Sequence, residues 1–343
     1  MPLHCNDVVK EVMTEYGRLT HSRMLAYLPD KEPRKHLYDL TSDYPIRGGH
    51  GLRPAICIAN AKAFGAPESM SILSAVSIEI LHNALLVHDD IQDESLLRRG
   101  EPTMHELHGV PMAINVGDTL LLMSMPPLMD NLKMLSPLAS QLLMEDRQKT
   151  AYETAEGQAL ELGWRRDNDF DLTEQDYLIM VTKKTSWLTM IHPLRVGAII
   201  GSGGMVDLNP LYRLGYFLGA AFQIRDDLLN LIGDLESYGK EINGDLMEGK
   251  RTLMLLHLFR HVTQEQKKDI IELMGRSRQD RTEDVSWIRS LMDLHGSIEH
   301  AQAVADRLSA EAKKEFDSIY RSTRHSRDLE FIAGLCDWVI QRH

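Results

Sequence analysis

Residues 69–95 read SMSILSAVSIEILHNALLVHDDIQDES, and this stretch predicts the fold class. Its apolar residues, among them Leu73, Val76, Ile80 and Val87, recur at steps of three and four positions, which is the spacing of one helix face. The same spacing recurs in the segments 112–124, 137–163, 173–201, 208–232, 251–261, 264–274 and 298–320. Because alternating strand patterns are essentially missing, the sequence predicts an all-α protein.

The breaks between these segments predict loops. A glycine-rich run, PIRGGHGLRP, occupies 45–54, and glycines end a helix at 201–204. Thr173 and Asp176 have the spacing of a capping box that begins a helix. The glycine-rich, charged segment 233–249 is long enough to act as a lid. Because no linker, low-complexity tract or repeat interrupts the chain, we expect residues 1–343 to form a single large helical domain.

Composition and charge exclude several classes of protein. The 343 residues carry a net charge of −12, whereas nucleic-acid binders present a basic surface, so nucleic acid is not an expected partner. Cys5, Cys57 and Cys336 lack metal-ligand spacing, which indicates a reducing compartment without disulfides or a zinc site. No apolar run approaches the length of about 18 residues that a membrane span needs, and the first residues lack a signal-peptide pattern. We therefore expect a cytoplasmic protein without a transmembrane segment.

The strongest chemical signal is the acidic run HDDIQD at 88–93. Asp89 and Asp93 are four positions apart, so they share one helix face at a spacing of about 5.4 Å. Like charges at this spacing destabilise a helix unless something compensates them. Mg²⁺ does so, because it takes one or two carboxylates and keeps coordination sites for phosphate oxygens. A solvated acidic patch is the alternative, but the preceding apolar run IEILHNALLV disfavours it.

A second acidic cluster repeats the arrangement. Residues 222–230 read FQIRDDLLN, with Asn230 at the position where a third aspartate could stand and still offering an oxygen ligand. Basic residues accompany both clusters, namely Arg98, Arg99, Lys184, Lys240 and Lys250. Two acid-bearing helices across a cavity would hold several Mg²⁺ ions on one diphosphate, and the basic residues would clamp the same anion.

Eight short segments in this order resemble the trans-isoprenyl diphosphate synthases, or polyprenyl synthetases, and most closely the geranylgeranyl diphosphate synthases. They are GG and LRP within 48–54, HNA at 82–84, DDIQD at 89–93, LRRG at 97–100, GQALEL at 157–162, KT at 184–185, FQIRDD at 222–227 and GKEINGDLMEGK at 239–250. The resemblance spans about 45–320 and implies an isoprenoid synthase-like helix bundle around a central cavity. It also implies Mg²⁺-assisted ionisation of an allylic prenyl diphosphate, condensation with isopentenyl diphosphate, and a homodimer formed through helices near 110–160.

The resemblance assigns roles residue by residue. It implies that three Mg²⁺ ions are held by Asp89, Asp93 and Asp226, with support from Asp90 and Asp227. The allylic substrate would contact Arg98, Lys184, Thr185, Gln223, Lys240 and Lys250. Isopentenyl diphosphate would be held by His50, Arg53, His82 and Arg99. Catalysis would depend most on Asp89, Asp93, Asp226, Lys184 and Lys240.

His50 departs from the family pattern, which has lysine at this position. A neutral histidine loses a charge-assisted contact with diphosphate, which costs about 1.5–3 kcal/mol unless the bound anion keeps the imidazole protonated. This departure keeps open a terpene cyclase on the same scaffold, whereas the retained Arg53, His82 and Arg99 favour the synthase. An inactive, diphosphate-binding regulatory subunit is the third alternative, although such a subunit would be expected to lose its aspartates.

Product length should be set by the cavity floor beneath Asp89. Ala84 and Leu85, five and four positions earlier, are predicted to form this floor because they lie about one helical turn deeper. Since neither side chain is aromatic, we expect a C20 product, geranylgeranyl diphosphate, and we expect Ala84→Phe to change the product distribution.

Overall fold

The computed structural model describes residues 5–232, 243–281 and 284–342, and the chain is helical through most of these ranges. The two strands within them are β1, Leu97–Arg98, and β2, Glu101–Pro102, which pair as one antiparallel hairpin after the first acidic cluster. The prediction of an all-α protein is therefore confirmed.

The helices of the described ranges are numbered here in chain order. The first ten are α1 Cys5–Met24, α2 Asp39–Thr41, α3 Asp43–Ile46, α4 Leu52–Ala63, α5 Ile72–Gln92, α6 Met104–His108, α7 Val110–Met123, α8 Met125–Leu132, α9 Pro137–Arg166 and α10 Glu174–Val181. The others are α11 His192–Ser202, α12 Asn209–Ile232, α13 Gly244–Glu248, α14 Leu253–His261, α15 Gln264–Met274, α16 Arg278–Arg281, α17 Val285–Leu294, α18 Ser297–Tyr320 and α19 Arg327–Gln341. Short 3₁₀ turns lie at Leu25–Tyr27 and Glu68–Met70, and π-helical segments lie at Arg34–Tyr38 and Thr182–Ile191.

Helix α5 is a core helix of the bundle, and it carries the first acidic cluster at its C-terminal end. One side packs against α7 through Val76, Ile80 and Ala84, while other sides contact α1, α4 and α8. A larger apolar cluster joins α1, α4, α11, α12, α18 and α19. Within the described ranges, α5 alone is long and apolar enough to cross a membrane, but 61% of its most apolar stretch is buried inside the fold. Its apolar character is therefore explained by core packing.

The segment predicted as one helix over 173–201 is one helical rod with a π-helical middle part, Thr182–Ile191. This part packs between α9 and α12. The approach to α9 is closest at Gly157, where a Cβ atom would lie 2.2 Å from the backbone nitrogen of Lys184. A side chain at Gly157 would therefore displace Lys184, and π-helical segments are frequent at functional sites.

The helix ends follow the sequence signals closely, but the two terminal helices were missed. The predicted capping box is present: Thr173 accepts from the backbone of Asp176 and its own backbone donates to the Asp176 carboxylate. Helices α1 and α19 lie outside the predicted segments and pack against each other. The Tyr16 hydroxyl joins them by donating to Asp328 at 2.6 Å. This packing brings the end of the chain next to α12.

Candidate active site

One large cavity, of about 700 Å³, lies between α5, α9, the π segment and α12. Its polar part contains Asp89 of α5, Asp226 of α12, and Lys184 and Lys250. Its apolar walls come mainly from Leu81, Leu85, Leu121, Ala151, Ala155, Leu162, Met180 and Leu188. The two helices that carry the acidic clusters therefore line one cavity with apolar walls, as the sequence predicts.

Each carboxylate of the first cluster is paired with cations. Lys184 Nζ lies 3.2 Å from Asp89 Oδ1, and Lys250 Nζ lies 2.9 Å from Asp93 Oδ2. Arg165, at the end of α9, contacts Asp93 at 2.5 Å. Burial by itself would raise the pKa of both carboxyls, but these cations hold each pKa below its ordinary value. Asp89 and Asp93 are therefore ionised at neutral pH. Asp93 is not itself part of the cavity wall, but its partner Lys250 is.

The second cluster divides its two aspartates between different partners. Asp226 lies in the cavity wall and pairs with Arg342 at 3.0 Å. Asp227 accepts hydrogen bonds from the Tyr177 hydroxyl and from Gln223 Nε2, both at 2.7 Å. Burial, and then the charge of Asp245, raise the pKa of Asp227 well above its ordinary value. Asp226 is therefore the carboxylate of this cluster that is suited to a cation.

The chemistry of Asp89, Asp93 and Asp226 suits Mg²⁺, but within the described residues no three such side chains already lie close enough together to hold an ion. All three are carboxylates, the hard oxygen ligands that this ion prefers, and the first two are held in the ionised form that coordination requires. Lys184 and Lys250 lie beside them and would meet phosphate oxygens that such ions also bind.

The structure corrects the prediction that Asp90 supports the metal site. Asp90 is fully buried; it accepts a 2.6 Å hydrogen bond from the Tyr44 hydroxyl and a bidentate contact from Arg98, whose Nε lies 3.0 Å away. Since consecutive helical residues point about 100° apart, Asp90 turns into the core when Asp89 faces the cavity. Asp90 thus positions Arg98, which does line the cavity.

Asn230, which the sequence suggested as an oxygen ligand, instead holds a loop. Its side chain is buried, and its Oδ1 accepts from the backbone nitrogen of Asp245 at 3.0 Å. Its own carbonyl accepts from Asn243 at 2.8 Å. These contacts fix the start of α13 and thereby the approach to Lys250. Lys240 lies outside the described residues, as does most of the segment expected to act as a lid.

Thr185 and Gln223 are brought together as expected for one substrate site. The Thr185 hydroxyl donates to Gln223 Oε1 at 2.8 Å, which links the π segment to α12 inside the cavity wall. Lys184 is also fixed by Glu161 of α9 at 2.5 Å. Glu161 was noted in the sequence as part of GQALEL, and its structural role is to orient this lysine.

The residues predicted to hold isopentenyl diphosphate lie in three different places. Arg53 and His82 line the large cavity, and Arg53 Nη2 donates to Thr189 at 2.8 Å. Arg99 donates to the Tyr44 carbonyl at 3.0 Å and lines a smaller cavity of about 250 Å³ beneath the glycine-rich loop. His50 lies on that loop, exposed and outside the described lining of both cavities.

The electrostatics of this region favour anion binding. Burial lowers the pKa of Arg53 to about 10, so it stays cationic at neutral pH. Burial also would raise the pKa of Glu79, but His82, Arg53 and Arg99 lower it to about 2. His50 differs, because partial burial of its ring and the nearby charges of Arg342 and Arg99 lower its pKa. His50 is therefore neutral at pH 7.

The structure also corrects the prediction for Ala84. This residue is fully buried and belongs to the apolar cluster between α5 and α7, away from the cavity wall. Leu85, in contrast, lines the cavity together with Leu81. The reason is angular: at about 100° per residue, Leu85 lies roughly 40° from Asp89 around the helix, whereas Ala84 lies roughly 140° away.

Arg342 is the main functional candidate that the sequence analysis missed. Its guanidinium donates to Asp226 and, at 2.9 Å, to the carbonyl of Phe222, and it stacks over the Phe222 ring at 3.7 Å. Arg225 holds the Arg342 carbonyl through two hydrogen bonds, of 3.0 and 2.9 Å. No local motif marks Arg342, because it lies 116 positions from Asp226. Arg165 was missed for the same reason.

Comparison with known proteins identifies close relatives. Residues 34–292 match the polyprenyl synthetase family. The chain is 32% identical to the geranylgeranyl diphosphate synthase of Saccharolobus solfataricus, over 100% of this chain and 98% of that protein.

Solved structures agree. The geranylgeranyl pyrophosphate synthetase of Pyrococcus horikoshii superposes with a TM-score of 0.84 at 30% identity, covering 97% of this chain and 99% of its own. A polyprenyl synthase of Caulobacter crescentus, solved in complex with calcium and isoprenyl diphosphate, superposes with a TM-score of 0.80 at 26% identity, covering 99% and 98%.

Proposed function

Because this chain belongs to the polyprenyl synthetase family and is a trans-prenyltransferase, we propose that it condenses isopentenyl diphosphate with an allylic prenyl diphosphate to give geranylgeranyl diphosphate. The observation that carries the proposal is the single cavity in which Asp89 and Asp226, from two different helices, lie above apolar walls. The similarity to geranylgeranyl diphosphate synthases supports the C20 product.

The residues of the site suit ionisation of an allylic diphosphate. The family is Mg²⁺-dependent, and we propose that three ions, held by Asp89, Asp93 and Asp226, supply Lewis-acid neutralisation of the leaving group. Lys184 and Lys250 are cationic despite burial, because Asp89 and Asp93 raise their respective pKa values. Both can therefore stabilise charge that develops on the departing diphosphate. The apolar walls exclude the water that would trap an allylic cation.

Isopentenyl diphosphate would bind where the glycine-rich loop, α4 and the end of the chain meet. Arg53, His82 and Arg99 are proposed to hold its diphosphate, and Arg342 supplies a further cation close to His50. The alkene attacks C1 of the allylic cation, and the proton then lost passes to the departing diphosphate. No side-chain nucleophile is needed for this step.

One incubation tests the proposal and its alternatives. Purified protein is given Mg²⁺ and farnesyl diphosphate, with or without isopentenyl diphosphate, and the dephosphorylated products are separated by chain length. Geranylgeraniol that forms only with the second substrate supports the synthase. A hydrocarbon or alcohol formed from farnesyl diphosphate alone would support a cyclase, and absence of turnover would support a regulatory subunit.

We further propose a homodimer formed through α6–α9. Exposed apolar side chains are concentrated on these helices, which suits a buried interface: they include Leu107, Val110, Ile114, Leu122, Met129, Leu138 and Met144. Sedimentation velocity should give the mass of two chains. A single working domain over residues 1–343, in the cytoplasm, is also proposed; the buried free thiols of Cys57 and Cys336 are consistent with a reducing compartment.

A further inference from the structure

Arg147 places an uncompensated charge in the wall of the catalytic cavity. The residue is 9% exposed; its Nη2 donates to Ser124 Oγ at 2.9 Å, and its Nε has no partner in the described part of the chain. Burial lowers its pKa to about 10, with no carboxylate contributing to the shift. Arg147 is therefore cationic at neutral pH but buried, and the described residues place no carboxylate beside it. This is an unfavourable arrangement unless it has a use.

The distance between Arg147 and the acidic cluster can be estimated from the helical rise along two different helices. Along α9, Arg147 precedes Gln158 by eleven residues, or roughly 16 Å, and Gln158 Nε2 lies 3.3 Å from Asp89 Oδ1. Along α5, Ser77 precedes Asp89 by twelve residues, or roughly 18 Å. Ser77 donates to the carbonyl of Ser124 at 2.7 Å, and Ser124 is the partner of Arg147. Arg147 therefore lies roughly 16–18 Å along the bundle from the acidic cluster, in the lining of the same cavity.

We propose that Arg147 sets the upper limit of product length. A prenyl tail spans roughly 4.5 Å per isoprene unit, if the rise of about 3.4 Å for three bonds of an extended backbone is scaled to four bonds. The distance from Asp89 to Arg147 equals about four such units. Because the metal ions and the diphosphate would take up part of it, a C20 chain already reaches Arg147. A fifth unit would press hydrocarbon against the guanidinium and remove the rest of its hydration.

This inference rests on the proposed synthase function and deepens it. It assigns the control of product length to Arg147, a polar residue at the end of the apolar path, and not to Ala84, which packs elsewhere. Leu81, Leu121 and Ala151 form the apolar wall that leads toward it. Length is then limited by the cost of burying a charge and not by the bulk of an aromatic ring.

The test compares Arg147→Met with Arg147→Lys in the full-length enzyme. The first variant should raise the ratio of C25 and longer products to C20 by roughly tenfold or more, the change that about 1.4 kcal/mol produces. The second keeps the charge and should keep C20 as the limit. The kcat/KM of the first condensation is measured for both variants, so that a change in product length is separated from a change in overall activity. Lys149→Met is the matched control: it removes a charge from the same helix, where Lys149 lies over Trp187 at 4.9 Å, and should leave the products unchanged.

The outcomes separate this inference from the function on which it rests. If wild-type protein forms no product that depends on isopentenyl diphosphate, both the synthase proposal and the inference about Arg147 are refuted. If Arg147→Met elongates at the wild-type rate and gives the wild-type distribution, the inference alone is overturned. Arg147→Gln gives the same test should the methionine variant fold poorly. Thermal unfolding adds a second readout, since loss of an unpaired buried charge should not lower the Tm of either neutral variant.

Discussion

His50→Lys should tighten the binding of isopentenyl diphosphate, because it adds the cation that the loop lacks. His50 is neutral at pH 8, since partial burial of its ring on an otherwise exposed loop and the charges of Arg342 and Arg99 lower its pKa. A charge-assisted hydrogen bond contributes about 1.5–3 kcal/mol when well buried. Because this loop is exposed, solvent screening reduces the gain. We therefore expect a gain just below this range, about 1.4 kcal/mol, or a roughly tenfold lower KM for isopentenyl diphosphate.

Arg342 should control the size of this gain. If Arg342 and the new lysine meet the same diphosphate, they also repel each other, so the lysine is worth more when Arg342 is absent. Arg342→Ala alone should raise the KM for isopentenyl diphosphate, and His50→Lys should rescue it. The double-mutant cycle should show a coupling of about 0.5–1 kcal/mol.

The assay is the initial rate at pH 8 with saturating farnesyl diphosphate and varied isopentenyl diphosphate. The KM for the allylic substrate serves as an internal reference and should change little. His36→Lys, the same substitution at an exposed histidine of the π-helical segment Arg34–Tyr38, is the matched control. An unchanged KM in His50→Lys, or additive effects of the two substitutions, would refute a shared diphosphate site.

Three further predictions follow from side-chain placement. Leu85→Phe should shorten the products seen by chromatography of the dephosphorylated alcohols, whereas Ala84→Phe should leave product length unchanged and cost about 1–3 kcal/mol of unfolding free energy in urea. Burial and Arg53 lower the pKa of His82 to about 4 in the folded protein. As the pH falls, His82 therefore takes up a proton in the unfolded chain before it does so in the folded one. The free energy of unfolding that is present above pH 6.5 is then lost as the pH falls toward 4. His82→Gln should flatten this loss, by up to about 1.4 kcal/mol per pH unit, in urea titrations at several pH values. Leu122→Glu should dissociate the proposed dimer in sedimentation velocity, since Leu122 is 73% exposed on α7.

The acidic clusters could be located from sequence because they are local signals on helices. Spacing of four residues related Asp89, in the last turn of α5, to Asp93 at its C-cap, and both are ionised and paired there. The rotation of about 100° per helical residue places Asp90 on a different side of α5 from Asp89, and Ala84 on a different side from Leu85. The Ala84 prediction was wrong because neighbours in sequence were treated as neighbours on the helix surface. The role of Asp90 had been implied by the family resemblance, and its burial against Arg98 and Tyr44 corrects it.

The remaining site residues could not be predicted, because they depend on contacts between distant segments. Arg342 reaches Asp226 only because α19 packs against α1 and α12, and nothing near residue 342 signals that packing. Arg147 resembles any other arginine on an amphipathic helix until the fold buries it beside Ser124. Sequence periodicity predicts which face of a helix is buried but not what lies opposite it.

The repulsion between Asp89 and Asp93 is offset by cations of the chain itself. From sequence, the repulsion between Asp89 and Asp93 required compensation, and Mg²⁺ was the source considered. Lys184, Lys250 and Arg165 provide that compensation from within the chain. Metal binding is then required for the diphosphate and not for the stability of α5, so EDTA should abolish turnover and leave the Tm unchanged. Asp93→Asn should instead lower the Tm, because Arg165 and Lys250 would each lose a buried carboxylate partner. A loss of Tm on EDTA treatment would show that the cations alone do not stabilise the acidic end of α5.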